Sequence, residues 1–262
     1  MHALVYNGPG RQNLEDRPTP TMKSPPAVIK ITKTTICGTD LHILKGDVPT
    51  CRPGTVLGHE GVGGFDAVGP GCCHFQVWGQ GADLLYLACG RCDPCHKGMY
   101  SHCTTGGWML GNSIDGTQAE FVRIPYADAS LYPLPQGADE EAPVMLSDIL
   151  PTGFECGVLN GKVQVGSSVA IVGSGPIGLG ALLTAQFLAP SEIIMIDLDD
   201  NRLAAAKRFG ATATVNSGEG NAAEQVMKMT GGRGVDTAIE AVGIPATFKL
   251  CEDTRGGGRH PR

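Results

Sequence analysis

The stretch SVAIVGSGPIGLGALLTAQFL, residues 168–188, constrains the fold more than any other part of the chain. An apolar run with β-branched residues, a glycine-rich turn and a longer apolar run follow one another, which predicts a buried strand, a tight turn and a helix. The same alternation of strand and helix patterns continues through SEIIMID (191–197), NRLAAAKRFG (201–210), ATATVN (211–216), NAAEQVMKMTGG (221–232) and VDTAIEAVG (235–243). This order predicts an α/β fold with a doubly wound parallel sheet.

The glycine turn contains Gly173, Gly175 and Gly178 in the spacing G-x-G-x-x-G. In that pattern the first glycine permits a tight turn, the second lets a pyrophosphate approach the backbone, and the third lets helix and strand pack closely. Asp197 ends the next predicted strand, at the distance from which a carboxylate accepts hydrogen bonds from a ribose 2′-hydroxyl. The pattern predicts a site for NAD rather than NADP. The alternatives are a purely structural glycine turn and a solvated acid at Asp197.

Four cysteines lie within fifteen residues, in the stretch CGRCDPCHKGMYSHC. Their spacing, C-x2-C-x2-C-x7-C, lets four thiolates converge on one tetrahedral ion, whereas cysteines three residues apart form strained disulfides. We therefore predict a closed, structural zinc site at Cys89, Cys92, Cys95 and Cys103. The alternative is a set of redox-active or buried thiols.

Residues 1 to about 155 have a different, β-rich pattern with irregular loops, in which VIKITKTTI (28–36) is a predicted strand and glycine and proline interrupt residues 52–81. The net charge is −6 and no lysine or arginine run stands out, so we expect neither nucleic-acid nor membrane-surface binding. No signal peptide or bilayer-spanning run is evident, which favours a cytoplasmic location.

Two short stretches, TICGTDLH (35–42) and GHEG (58–61), contain further ligand-type residues. Cys37 and His59 could bind one ion together with a third protein ligand and leave a position open. By themselves, however, a single cysteine and a single histidine are more often a buried thiol and a hydrogen-bonded imidazole.

Taken together, CGTDLH, GHEGVGGFDAVGPGC, the four-cysteine stretch, SDILPTGF and VGSGPIG resemble the zinc-dependent medium-chain alcohol dehydrogenases in order and spacing. The resemblance covers nearly the whole chain. It implies a GroES-like catalytic domain at residues 1–155 and an NAD-binding Rossmann domain at residues 156–262. It also implies oxidation of small primary or secondary alcohols to aldehydes or ketones. The alternatives are a polyol or threonine dehydrogenase, or an inactive product that only binds zinc or nucleotide.

The resemblance also implies roles for individual residues. The expected catalytic zinc ligands are Cys37, His59 and Asp148, with Glu60 as a neighbouring acid. Thr39 is expected to contact the substrate and begin a proton relay that His42 continues to solvent.

On the cofactor side, the resemblance places Thr152 beside the nicotinamide and Arg202 near the adenosine ribose. Trp108 is expected either to line the substrate pocket or to belong to the core.

The sequence departs from the family pattern in two places. The stretch QVWGQGADLLYLA (76–88) replaces a turn and strand, and a shifted reading of permitted codons gives F-K-S-G-D-R-V-L-I-S-C-I-S. We hypothesise compensating single-base changes there; ordinary divergence is the alternative. The chain also ends in the polar stretch CEDTRGGGRHPR, so we expect an incomplete Rossmann sheet that lacks two strands and the family's usual dimer contact.

Overall fold

The computed structural model describes residues 1–21, 26–69, 72, 79–83, 86–135 and 137–256. The chain divides into two compact units, Met1–Asp148 and a second that begins at Ile149. The domain boundary expected after residue 155 stays a prediction. Of the stretch 76–88, residues 76–78 and 84–85 lie outside the described residues, as does the tail after residue 256.

The first unit is built from two antiparallel sheets and short helices. Its strands are β1 His2–Tyr6, β2 Gln12–Asp16, β3 Pro26–Thr34, β4 Thr55–Val56, β5 Gly61–Val68, β6 Gln80–Asp83, β7 Phe121–Pro125 and β8 Leu131–Pro133. The orders are β2-β1-β4 and β7-β3-β5-β6-β8. The helices are α1 Gly38–Lys45, α2 Asp93–His96 and α3 Ala127–Ser130, with 3-10 helices at Tyr100–His102 and Pro143–Leu146.

Strand β3 lies between β7 and β5 in the larger sheet and leads directly to the candidate site. Its buried Ile29 packs with Phe65 of β5 and Val122 of β7 in one core cluster. A side chain at Gly63 would collide with the Lys30 carbonyl, so β5 needs glycine there to approach β3. The strand predicted at 28–36 ends at Thr34, just before the turn into α1.

The second unit is a parallel sheet with helices. Its strands are β9 Ser168–Val172, β10 Glu192–Asp197, β11 Ala213–Asn216 and β12 Thr237–Glu240. The helices are α4 Ile149–Thr152, α5 Pro176–Ala185, α6 Asp200–Arg208, α7 Ala222–Met229 and α8 Pro245–Thr254, with a π-helix at Gly153–Leu159 and 3-10 helices at Gln186–Leu188 and Ser217–Glu219.

The strand order β11-β10-β9-β12, with every neighbouring pair parallel, confirms the predicted doubly wound sheet. It equals the first four positions of the Rossmann order. One buried cluster packs the sheet against α5 and α6, and another packs it against α7 and α8. Within the described residues, no helix is both long and apolar enough to cross a bilayer.

Candidate active site

The first unit brings Cys37, His59 and Asp148 together, with their candidate ligand atoms all within 4.8 Å of one another. Cys37 is the residue before α1, where Asp40 at the third helical position forms a capping box with it. His59 lies between β4 and β5, and Asp148 is the last residue of the unit. Three segments distant in sequence thus supply one sulfur, one imidazole and one carboxylate.

The donor set and its distances fit a zinc ion. The Nε2 atom of His59 lies 3.4 Å from Oδ2 of Asp148, and the sulfur of Cys37 lies 4.0 Å from the same oxygen. Ligands arranged tetrahedrally around zinc would place these pairs roughly 3.4 and 3.6 Å apart. Both ring nitrogens of the buried His59 lack a hydrogen-bond partner within the described part of the chain, as expected for a ligand side chain.

The electrostatic surroundings of His59 also favour a cation. Burial alone would lower the pKa of its imidazolium, but the contacts with Asp148 and Cys37 and the charge of Asp40 outweigh burial and raise the pKa to about 10. A proton therefore occupies His59 at neutral pH when no metal is bound. A metal ion would replace that proton as the positive charge among these acidic groups.

Three further residues near the ligands were not identified from the sequence. Asp40 is buried, and its Oδ1 lies 3.8 Å from Nδ1 of His59, on the side of the ring opposite Asp148. The hydroxyls of Thr34 and Thr117 both donate to the Glu60 carbonyl, at 2.8 and 2.9 Å, and fix the backbone just after His59. Of these residues, only Asp40 has a feature visible in the sequence: its spacing from Cys37 is typical of a helix start.

The remaining predicted residues of this unit lie on or near α1. The Thr39 hydroxyl is 3.7 Å from the Cys37 sulfur, and the exposed His42 ring contacts Asp47 at 2.9 Å. Glu60 is completely buried. Trp108 is half-buried, packs edge-to-face with His59 at a ring-centroid distance of 6.4 Å, and joins a small apolar cluster.

The four predicted cysteine ligands also converge, with their sulfurs all within 4.8 Å of one another. The Cys92 sulfur lies 3.4 Å from that of Cys95 and 3.9 Å from that of Cys103. Sulfurs of a zinc tetrahedron are roughly 3.8 Å apart, whereas bonded sulfurs are about 2.05 Å apart. None of the described cysteines forms a disulfide.

The thiols of this cluster differ in acidity. Backbone N–H groups of Thr104 and Cys95 lower the pKa of Cys92 to about 6, whereas burial raises the pKa of Cys95 to about 12. The lowered pKa of Cys92 favours its thiolate, the form that binds metals.

In the second unit, the glycine turn has the conformation that the sequence pattern predicts. Gly173 has φ +103°, and a side chain there would meet the Ala241 carbonyl. A side chain at Gly178 would collide with the carbonyl of Gly173, whereas nothing lies within 4 Å of one at Gly175. Pro176 begins α5, whose first N–H groups are available to an anion.

Asp197 lies at the end of β10 and is fixed by its own surroundings. Its Oδ2 accepts a hydrogen bond from the Ser174 N–H at 2.6 Å, and its Oδ1 accepts one from the Asp199 N–H at 3.0 Å. Arg202 is exposed in the first turn of α6, and Thr152 is the last residue of α4. The glycine turn and Asp197 are therefore in direct contact through the Ser174 N–H.

Comparisons with known proteins agree with this arrangement. Residues 24–136 match the family model of the alcohol dehydrogenase GroES-like domain, and residues 176–256 match that of zinc-binding dehydrogenases. An alcohol dehydrogenase of Cupriavidus necator is 40% identical over 270 positions, which cover 95% of this chain and 72% of that protein.

Two solved structures are similar as well. Zinc-dependent alcohol dehydrogenase 2 from Streptococcus pneumonia, in its apo form, is 53% identical with a TM-score of 0.92, covering 98% of this chain and 73% of that one. Alcohol dehydrogenase TADH from Thermus sp. ATN1 is 35% identical with a TM-score of 0.89, covering 98% and 75%. The chain belongs to the zinc-dependent medium-chain alcohol dehydrogenases, a family of oxidoreductases.

Proposed function

We propose that this chain oxidises small primary or secondary alcohols to aldehydes or ketones, with NAD as the hydride acceptor and two zinc ions per chain. The observation that carries the proposal is the grouping of Cys37, His59 and Asp148 at zinc-ligand distances in a member of this family. Three protein ligands leave one of four tetrahedral positions open, as in catalytic zinc sites. The four-cysteine cluster has no open position and is assigned to the structural ion.

When bound, zinc supplies Lewis acidity to the alcohol oxygen and NAD supplies a hydride acceptor, so that the alcohol loses one proton and one hydride. The Cys37 thiolate and the Asp148 carboxylate balance the two positive charges of the ion. We assign to Thr39 the role of accepting the proton of the alcohol, because its hydroxyl lies beside Cys37. His42, one turn further along α1 and exposed, passes that proton to solvent.

For the cofactor, we assign the pyrophosphate to the turn of Gly173, Gly175 and Gly178 at the start of α5, and the ribose hydroxyls to Asp197. The positive φ of Gly173 and the contact of Gly178 with the Gly173 carbonyl support this assignment. We further assign Arg202 to the adenosine ribose and Thr152 to the nicotinamide.

The test uses the purified 262-residue chain loaded with zinc. Elemental analysis should give two zinc ions per chain, and ethanol or 2-propanol should generate NADH. The variant Cys37→Ser should retain the four-cysteine zinc but lose NADH formation. Turnover of sorbitol or threonine in place of these alcohols would assign a polyol or threonine dehydrogenase. Two bound ions without turnover of any substrate would support the inactive alternative.

A further inference from the structure

The carboxylate of Asp40 connects two of the three proposed zinc ligands. Its Oδ2 accepts a hydrogen bond from the Cys37 N–H at 2.9 Å, and its Oδ1 lies 3.8 Å from Nδ1 of His59. A histidine that binds a metal through Nε2 carries its remaining proton on Nδ1, usually facing a carboxylate that fixes the ring. The orientation of the Asp40 carboxylate therefore affects the positions of both Cys37 and His59.

Gln118 fixes that orientation from a third segment. Its side-chain nitrogen donates to Oδ2 of Asp40 at 3.0 Å and to the Thr35 carbonyl at 3.0 Å. Both partners are acceptors, so chemistry requires the NH2 end of the amide to face them. Both hydrogens of this amide are thus used in hydrogen bonds to residues 35 and 40, just before and within the first turn of α1.

The backbone of Gln118 is itself held rigidly. Its N–H donates to the Leu57 carbonyl at 2.9 Å, and its carbonyl accepts from the Leu4 N–H at 2.8 Å. Leu57 lies two residues before His59, so Gln118 binds the His59 segment through its main chain and the Cys37 segment through its side chain. Gln118 is buried, with only 8% of the residue exposed. Such buried, satisfied donors are what hold ligand groups in place before a metal arrives.

We propose that Gln118 is a positioning residue for the metal centre, which holds the Asp40 carboxylate between Cys37 and His59 and so presets the spacing of these two ligands. The proposal rests on the proposed function, because it requires that a zinc ion binds Cys37, His59 and Asp148. Gln118 is proposed to act through Asp40 rather than on the ion or the substrate directly. Replacing it should therefore change the zinc affinity and the ligand geometry of the Cys37 site.

The test compares Gln118→Met and Gln118→Glu in the full 262-residue chain. Methionine keeps the length and removes all polar groups, whereas glutamate keeps the shape, replaces the NH2 donor with an oxygen and adds a negative charge beside Asp40. A matched control is Thr230→Val, which removes a buried side-chain hydroxyl that bonds backbone groups of the second unit. Zinc affinity at each site is measured by competition with a chelator, alongside thermal unfolding.

Loss of metal-orienting groups typically weakens metal affinity about 10–100-fold. We expect a loss of about tenfold at the Cys37 site in both variants, with the four-cysteine site and the Thr230→Val control unchanged. With cobalt in place of zinc, the absorption of the Cys37 site should change as well; the spectrum of Cys37→Ser supplies the four-cysteine contribution for subtraction.

Unchanged zinc affinity and cobalt spectrum in both variants would overturn the proposal. Parallel weakening of both metal sites together with a lower melting temperature would also overturn it, because Gln118 would then serve the fold alone. If the unaltered chain binds only the four-cysteine ion, the proposed function fails instead, so the two failures are distinguishable.

Discussion

Replacement of Asp197 by serine tests the nucleotide site most directly. Both carboxylate oxygens accept backbone hydrogen bonds, from Ser174 at 2.6 Å and from Asp199 at 3.0 Å, so the negative charge cannot swing away from a nearby ligand. A ribose 2′-phosphate would lie about 5 Å from this charge if the ribose binds here. In water, a doubly charged phosphate at that distance is repelled by about 1.5 kcal/mol, and by several-fold more in a partly buried site.

A repulsion of about 1.5 kcal/mol corresponds to roughly tenfold in affinity. Asp197→Ser should therefore reduce the preference for NAD over NADP at least tenfold. NAD affinity itself should also fall, because a charged hydrogen-bond acceptor contributes about 1.5–3 kcal/mol. The assay is calorimetric titration of the zinc-loaded chain with each nucleotide at fixed ionic strength, which needs no turnover.

The matched control is Glu192→Gln, the same loss of charge at the opposite end of β10. The two positions are five residue steps apart along the strand, about 17 Å, which is beyond the screening length at physiological salt. The control should leave the NAD-to-NADP ratio unchanged. The reasoning is refuted if Asp197→Ser keeps the ratio of the unaltered chain while unfolding at the same temperature.

Three further predictions follow from the same geometry. Cys95→Ala should lower the zinc content from two ions to one and lower the melting temperature; retention of both ions would contradict the four-sulfur assignment. Zinc binding should displace the proton from His59, whose pKa is raised to about 10, so affinity should fall about tenfold per pH unit as the pH is lowered from about 10; calorimetry in buffers of different ionisation enthalpy counts the protons released. Asp236 accepts from the backbone and hydroxyl of Ser168, which lowers the pKa of its carboxyl. Because Asp236 is exposed and solvent screens its charge, Asp236→Asn should cost less than about 1 kcal/mol of unfolding free energy at pH 7, and the difference should vanish as the pH falls from about 4 through the lowered pKa; an equal difference at pH 7 and in strong acid would contradict this.

The parallel sheet was predictable because each of its strands is a short apolar run bounded by a glycine turn or a helix pattern. The strand expected from residue 211 begins in the structure only at Ala213. The hydroxyl of Thr212, the residue before it, bonds instead to the backbone N–H and carbonyl of Ile193. Helix α8 was missed because its apolar residues are spaced irregularly and only Cys251 and Thr254 of it are buried.

The site was predictable only in part. Cys37 and His59 were recognised from their residue types, Asp148 only through the family resemblance, and Asp40 and Gln118 not at all. The role of Gln118 depends on packing that brings residue 118 against Asp40 and Thr35, which are far from it in sequence. Periodicity reports which face of an element is buried, but it contains no information on which distant segment covers that face.

Charge balance explains how the cluster around His59 can stay buried both with and without a metal ion. The ring lies between two carboxylates, with Asp148 3.4 Å from Nε2 and Asp40 3.8 Å from Nδ1. Burying such acids is unfavourable unless a positive charge accompanies them. In the metal-free protein the imidazolium supplies that charge; because its pKa is raised to about 10, its stabilising effect is complete below the ordinary histidine value and is lost as the pH rises through about 10. In the proposed zinc-bound form, the ion would take the place of the proton on Nε2 beside Asp148, and the proton left on Nδ1 would face Asp40. Under the proposed function, the same two carboxylates would stabilise first the metal-free ligand set and then the bound cation. Both states would need Asp40 in one orientation, which is the role proposed for Gln118.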